Sequence, residues 1–318
     1  MTQATSTTHD RPLLGIALML GFCLAAPLGD ALAKLLYGTL PLGMLILARF
    51  AIQGFLLAPL VAASGRPWRL RGRVLGLVLW RTLLHILGIG MMFTALGFLP
   101  LADAIAIAFV MPFIMLLLGK YVLNEQVGPR RLIACVVGFI GTLLVIQPSF
   151  AEVGWPALLP LGVAVIFALF MLATRQIAKQ TDPIALQAVS GFIATAALLP
   201  LMVVGHAVGF EPLQFAQPTT TDLWLVIAIG VIGTVAHLMM TWSLRYAPST
   251  TLAPMQYLEI PFATVIGWLI FKDLPNGLAA VGILITLGAG LYIIWREQAT
   301  QRKQTARPQP QSPAPPVA

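Results

Sequence analysis

Eight ionisable or hydrogen-bonding side chains, Asp30, Lys34, Arg49, Arg81, His85, Gln256, Tyr257 and Glu259, interrupt stretches of sequence that are otherwise apolar. Asp30 and Lys34 stand four positions apart in FCLAAPLGDALAKLL, a spacing that puts them one turn apart on one helix face and within pairing reach. Arg49 falls at a similar depth in the next apolar run, so an Asp30–Arg49 pair is a second expectation. The three form either a structural ion cluster, with Lys34 snorkelling to water, or the lining of a wet vestibule. Arg81 and His85 repeat the four-residue spacing in the third run. Arg81 either snorkels to the nearer face or lines a cavity. His85, like His237 further on, is either a packed imidazole or a ligand contact. Glu259 has no cation within a helical turn. A carboxyl alone in hydrocarbon is carried neutral, so Glu259 is either a hydrogen-bonded structural acid or a substrate and proton-coupling site. In the second case Gln256 and Tyr257 supply hydrogen bonds and a stacking face. Glu125 and Arg130 belong instead to a basic hairpin, where a loop salt bridge is expected.

The elements that carry these groups follow from composition. Of 318 residues, 58% are hydrophobic and 9% charged, with a mean hydropathy of +0.90. A water-soluble domain carries roughly 25% charged residues, so the lipid bilayer is the expected solvent. The net charge of +8 sits in short loops between apolar runs, the pattern of a membrane face and not of a nucleic-acid patch. Cys23 and Cys135 both fall mid-span and read as small packed residues, without a redox or metal motif. No His/Cys/Asp/Glu spacing suggests a metal, and no phosphate loop, G-x-S-x-G or paired carboxylates suggest an enzyme or a cofactor. Transport, if that is the activity, would then be driven by a gradient.

A spanning helix needs about 20 apolar residues. Ten runs satisfy this, at 13–36, 42–63, 74–97, 101–121, 129–147, 156–175, 183–205, 221–244, 249–271 and 275–295. An all-α polytopic membrane protein is therefore expected, since backbone polar groups in lipid must be satisfied within each segment. Ala31-Leu32-Ala33 mimics a signal-peptidase site, but the preceding basic region is weak and further spans follow, so cleavage is not expected. Placing both termini in the cytoplasm puts 15 of the 19 Lys and Arg on that side, among them Arg66, Arg69, Arg71 and Arg73 in one loop. Residues 1–12 then form a cytoplasmic N-terminal tail. Residues 299–318, Pro- and Gln-rich, form a disordered cytoplasmic tail.

The chain also nearly repeats itself. Met111-Pro112-Phe113 returns as Ile260-Pro261-Phe262, 149 positions later, and Gly128/Gly277 and Gly141/Gly290 keep that offset. Leu96-Gly97-Phe98-Leu99-Pro100 has a counterpart in Leu244-Arg245-Tyr246-Ala247-Pro248, and Ala33-Lys34 … Pro41 is echoed by Ala178-Lys179 … Pro183. Five spans per repeat is an odd number, so the second copy must enter the membrane inverted. Inverted repeats are the architecture of alternating-access carriers, with the site near the midplane.

With Arg49-Phe50, Leu99-Pro100-Leu101-Ala102-Asp103-Ala104, Asn124-Glu125, Gly138, Gln256-Tyr257-Leu258-Glu259, Gly267-Trp268 and Asp273-Leu274-Pro275 added, the sequence resembles the drug/metabolite transporter superfamily. It is most similar to the bacterial branch with S-adenosylmethionine and riboflavin uptake carriers. The resemblance implies EamA-type halves at 13–147 and 156–295 and a multi-pass protein of the bacterial inner membrane. It also implies a small-molecule substrate, a vitamin or cofactor-like solute such as riboflavin, taken up by a non-enzymatic carrier. Export of amino acids, metabolites or drugs on the same fold is the alternative, and a homodimer stays open as an assembly. A membrane enzyme or assembly factor would need a catalytic constellation that the sequence does not offer.

Overall fold

Prolines set where many of the helices begin. Pro12, Pro112, Pro129, Pro160 and Pro183 each occupy a first-turn position, where the missing N–H costs nothing. The computed structural model of the chain describes residues 11–65, 68, 70–125, 127–146, 154–272 and 277–305. Twelve α-helices occur among these: α1 (Pro12–Leu36), α2 (Leu42–Ala63), α3 (Gly72–Leu96), α4 (Leu101–Ala108), α5 (Met111–Val122), α6 (Pro129–Ile146), α7 (Leu159–Ile177), α8 (Pro183–Ala207), α9 (Thr220–Tyr246), α10 (Ser249–Gln256), α11 (Glu259–Phe271) and α12 (Gly277–Thr305). No β-strand occurs among the described residues. Side-chain caps reinforce two starts. Asp182 accepts from the N–H groups of Ile184 and Ala185 at α8, and Thr219 and Asp222 form a reciprocal capping box at α9.

Among the described residues, seven helical stretches are long and apolar enough to cross a bilayer: α1, α2, α3, α4 with α5, α7, α8 and α9. Phe55, Trp224 and Leu284 are among the large apolar side chains exposed on the outer surface, as a lipid-facing surface requires. The protein is therefore a multi-pass membrane protein. The expected spans at 101–121 and 249–271 are each broken. A short helix of eight residues (α4, α10) gives way at Phe109–Val110 and at Tyr257–Leu258 to a second helix in line with the first span's sequence (α5, α11). The final helix continues to Thr305, beyond the edge expected at 295, through residues read as tail. The loop cations Arg66 and Arg69, Asp273, and the tail from 306 onward lie outside the described residues.

Packing is pairwise. Helix α1 lies along α9, α2 along α8, α3 along α7, and α6 along α12, while α4 and α5 contact α7, α11 and α10. Where α2 crosses α8, a Cβ on Gly191 would stand 2.6 Å from the Gly54 nitrogen. Only two glycines let the backbones come this close, a recurrent device where lipid gives no hydrophobic push between helices. One continuous buried apolar cluster, from Ile16 on α1 to Ile266 on α11, ties the helices together.

Candidate functional site

Residues from α1, α2, α3, α4, α5, α7, α9 and α11 converge on a central cavity. Its wall is mostly apolar and aromatic, with Phe22, Phe93, Phe109 and Phe167. Four polar groups break that wall: Asp30 from α1, Arg49 from α2, His237 from α9 and Glu259 from α11. The helix break explains Glu259. Glu259 is the first residue of α11, at the positive end of that helix, where a carboxyl is favoured.

Of the residues expected at a site, Asp30, Arg49 and Glu259 thus come together, from helices far apart in sequence. Asp30 and Arg49 make no hydrogen bond or ion-pair contact among the described residues, and their opposite charges act on each other through space. Lys34 turns away, donating to the Leu99 carbonyl at 2.5 Å with its ammonium 5.4 Å from the Phe271 ring centre. Gln256 and Tyr257 do not line the cavity. Gln256 Nε2 lies 2.9 Å from Met171 Sδ, and the Tyr257 hydroxyl donates to the Cys135 carbonyl at 3.1 Å. The break at Tyr257–Leu258 interrupts the helical period, so Gln256, three positions before Glu259, does not share its surroundings, while Tyr257, two positions before, would face elsewhere on any helix.

Arg81 does not snorkel. It is fully buried, donating from Nε to Thr174 Oγ1 (2.8 Å) and from Nη1 to Ser190 Oγ (2.9 Å), with its guanidinium 4.6 Å from the Phe170 ring centre. His85 is also fully buried and meets His237 with Nε2 atoms 3.2 Å apart, between the rings of Phe50 and Phe170. One of the two imidazoles donates and the other accepts. The pair joins the cavity, through His237, to a buried polar layer. There Gln187 donates to the His237 carbonyl (2.9 Å) and to Thr241 (3.0 Å), and Gln53 donates to the Gln187 carbonyl (2.8 Å). His237 is the cavity residue the sequence left undecided, because a single histidine in an apolar run carries no sign of its partner 152 positions away.

Two further features bracket the cavity. A wider one of about 520 Å³ opens on the face of Tyr37, Thr39 and Glu211, and Phe93 lines both. At the opposite end, Glu125 fastens the α5–α6 loop to the start of α10. Its carboxylate accepts from Ser249 Oγ (2.6 Å), the Thr250 N–H (3.0 Å) and Arg175 Nε (3.0 Å). Arg175 also donates to the Leu244 carbonyl. The expected Glu125–Arg130 bridge is replaced by this one, and Arg130 is exposed. Burial alone would raise the Glu125 pKa. The Ser249 and Thr250 donors and the Arg175 charge outweigh it and hold the group below its ordinary 4.5.

The profile of the EamA-like transporter family matches residues 13–147 and again 154–296. The chain belongs to that family, and so to the drug/metabolite transporter superfamily, and is a non-enzymatic transporter. Among its relatives, a riboflavin transporter of Rhizobium johnstonii is 29% identical over 74% of this chain and 73% of that protein. An S-adenosylmethionine uptake transporter of Rickettsia prowazekii is 23% identical over 90% and 94% of the two chains. The pseudopaline exporter CntI of Pseudomonas aeruginosa is 27% identical over 81% and 88%. A protein solved by crystallography superposes with a TM-score of 0.68 over 91% of this chain and 99% of that one; at 21% identity the likeness is one of fold.

Proposed function

We propose that the protein is a ten-span secondary carrier of the bacterial inner membrane that takes up a planar vitamin- or cofactor-like solute, riboflavin first. Two inverted five-span halves, 13–147 and 156–295, would rock about the central cavity. The doubled family match supports this reading. So does the helix pairing: exchanging the halves turns the α1–α9 contact into the α3–α7 contact and leaves the α2–α8 and α6–α12 contacts as they are. Both termini would be cytoplasmic, so that the Glu125 face is the inner one and the Tyr37 face the outer. In this arrangement the wide cavity opens outward while the Glu125 contacts hold the inner end closed.

The observation that carries the reading is the convergence of Asp30, Arg49, His237 and Glu259 on an aromatic-walled cavity built from both halves. Its aromatic rings suit a flat heterocycle, and its polar groups suit that heterocycle's hydrogen-bonding edge. The cavity measures about 80 Å³, below the ~300–1,000 Å³ of pockets that enclose drug-sized ligands. A solute of that size therefore requires the halves to move apart, as alternating access supplies. Glu259 is the group we assign to proton coupling.

Expression in a riboflavin-auxotrophic bacterium lacking its own importer should restore growth on low external riboflavin. Absence of rescue by well-expressed protein would sink the uptake reading. A second reading, export of an amino-carboxylate metabolite, is favoured by the similarity to the pseudopaline exporter and by the presence of both a cation and acids in the cavity. It predicts no rescue, and a lower internal level of the exported solute.

A further inference from the structure

Among the described residues two arginines are buried within the membrane-spanning bundle, and they are treated differently. Arg81 spends Nε and Nη1 on Thr174 and Ser190 and its face on Phe170, leaving only Nη2 without a hydrogen bond. Arg49 is 4% exposed, yet among the described residues its guanidinium makes no hydrogen bond and no ion pair, and Nη1 is sealed from solvent. The group is held in place all the same. Its Cζ lies 5.3 Å from the Phe50 ring centre. On the other side Gly233 leaves the room it occupies, since a Cβ there would stand 2.9 Å from both Nε and Nη2. Asp30 and Glu259 share the cavity without a hydrogen bond or ion-pair contact to it, and the Asp30 charge acts on it only through space.

An unpaired buried cation lowers stability, and it persists in a fold where an intermittent partner uses it. Arginine presents its donors as a rigid planar fork that matches two coplanar oxygens. We propose that Arg49 is the substrate anchor: its guanidinium takes carboxylate or carbonyl oxygens of the transported molecule. The two oxygens of a carboxylate present such a pair, whereas in a cyclic imide, whose N–H lies between the carbonyls, the guanidinium takes one carbonyl and leaves the adjoining N–H to an acid. Asp30 and Glu259 face the N–H or ammonium group beside those oxygens. The inference rests on the carrier reading for the origin of the ligand, but not on riboflavin being that ligand.

The test uses full-length protein in nanodiscs. Without ligand, Arg49→Met should unfold at the wild-type temperature or about 2–4 °C above it. Binding is then measured with riboflavin, N3-methylriboflavin and S-adenosylmethionine. Any of these that binds wild type should lose at least tenfold in affinity in Arg49→Lys, which keeps the charge and loses the fork. Binding of riboflavin that N3-methylation weakens identifies the imide source. Binding of S-adenosylmethionine alone identifies the carboxylate source, and removes the riboflavin reading while leaving the Arg49 anchor standing. The anchor is overturned if Arg49→Met unfolds below wild type and the double variant with Asp30→Asn recovers, as a structural Asp30–Arg49 pair requires. Unchanged binding in Arg49→Lys overturns it as well. If none of the three probes binds, the ligand-free stabilities decide alone.

Discussion

Glu125 and Arg49 are both charges withdrawn from water, and their surroundings could hardly differ more. Around Glu125 the acceptors are occupied: a hydroxyl, a helix-start N–H and a guanidinium converge on one carboxylate. Around Arg49, Asp30 and Glu259, three charged or chargeable groups share one cavity without a direct hydrogen bond between them. The lesson is that burial of a charge does not by itself separate structure from function. Satisfaction does. A satisfied buried charge fastens elements together, and an unsatisfied one beside a cavity is available to a passenger.

If Glu125 is a fastening, removing it should be the most damaging change of this set. Glu125→Ala leaves Arg175 unmatched and the start of α10 without its acceptor. It should lower stability by about 2–4 kcal/mol, just under the ~3–5 kcal/mol of fully buried pairs. Chemical unfolding in nanodiscs measures this, and a loss under ~1 kcal/mol would put Glu125 among exposed pairs. Acid should produce the same effect more gently. A carboxylate held below its unfolded value of 4.5 stabilises fully above that pH, and the contribution is lost as pH falls through the lowered folded value. The wild-type unfolding temperature should therefore fall more steeply below pH 4.5 than that of Glu125→Gln, whereas parallel curves would remove Glu125 from the fastening. At the small end, Arg130→Ala should change stability by no more than ~0.5 kcal/mol, because the exposed Arg130 is not the partner of Glu125. A larger loss would restore the loop bridge.

Apolar run lengths and the Pro and Gly punctuation made the membrane class legible, along with most helix edges, because hydropathy and proline act locally. The breaks at Phe109–Val110 and Tyr257–Leu258 were not foreseen, since the apolar composition runs through them without change. A signal was present: Pro112 and Pro261 sit inside the expected spans, and Pro112 restarts a helix. Missing the breaks carried over to the site. On an uninterrupted helix Gln256, three positions away, would neighbour Glu259, whereas Tyr257, two positions away, faces elsewhere in any case; the two side chains meet Met171 and Cys135 instead. The four-residue spacing of Asp30 and Lys34 gave their shared face but not the reach of lysine's long stem to Leu99. That Asp30, Arg49 and Glu259 meet depends on which helices pack together, and no spacing within one helix encodes it.

The central claim is gradient-driven movement of a small solute through the cavity. It is tested most directly by uptake of labelled riboflavin into proteoliposomes, with and without an imposed pH gradient. Wild type should accumulate riboflavin above protein-free vesicles, and more so with the interior alkaline. Glu259→Gln, which mimics the protonated acid, should lose the gradient-driven part yet keep exchange at equal pH. Wild-type accumulation no greater than that of protein-free vesicles would contradict the account, and normal gradient-driven uptake by Glu259→Gln would remove Glu259 from the mechanism.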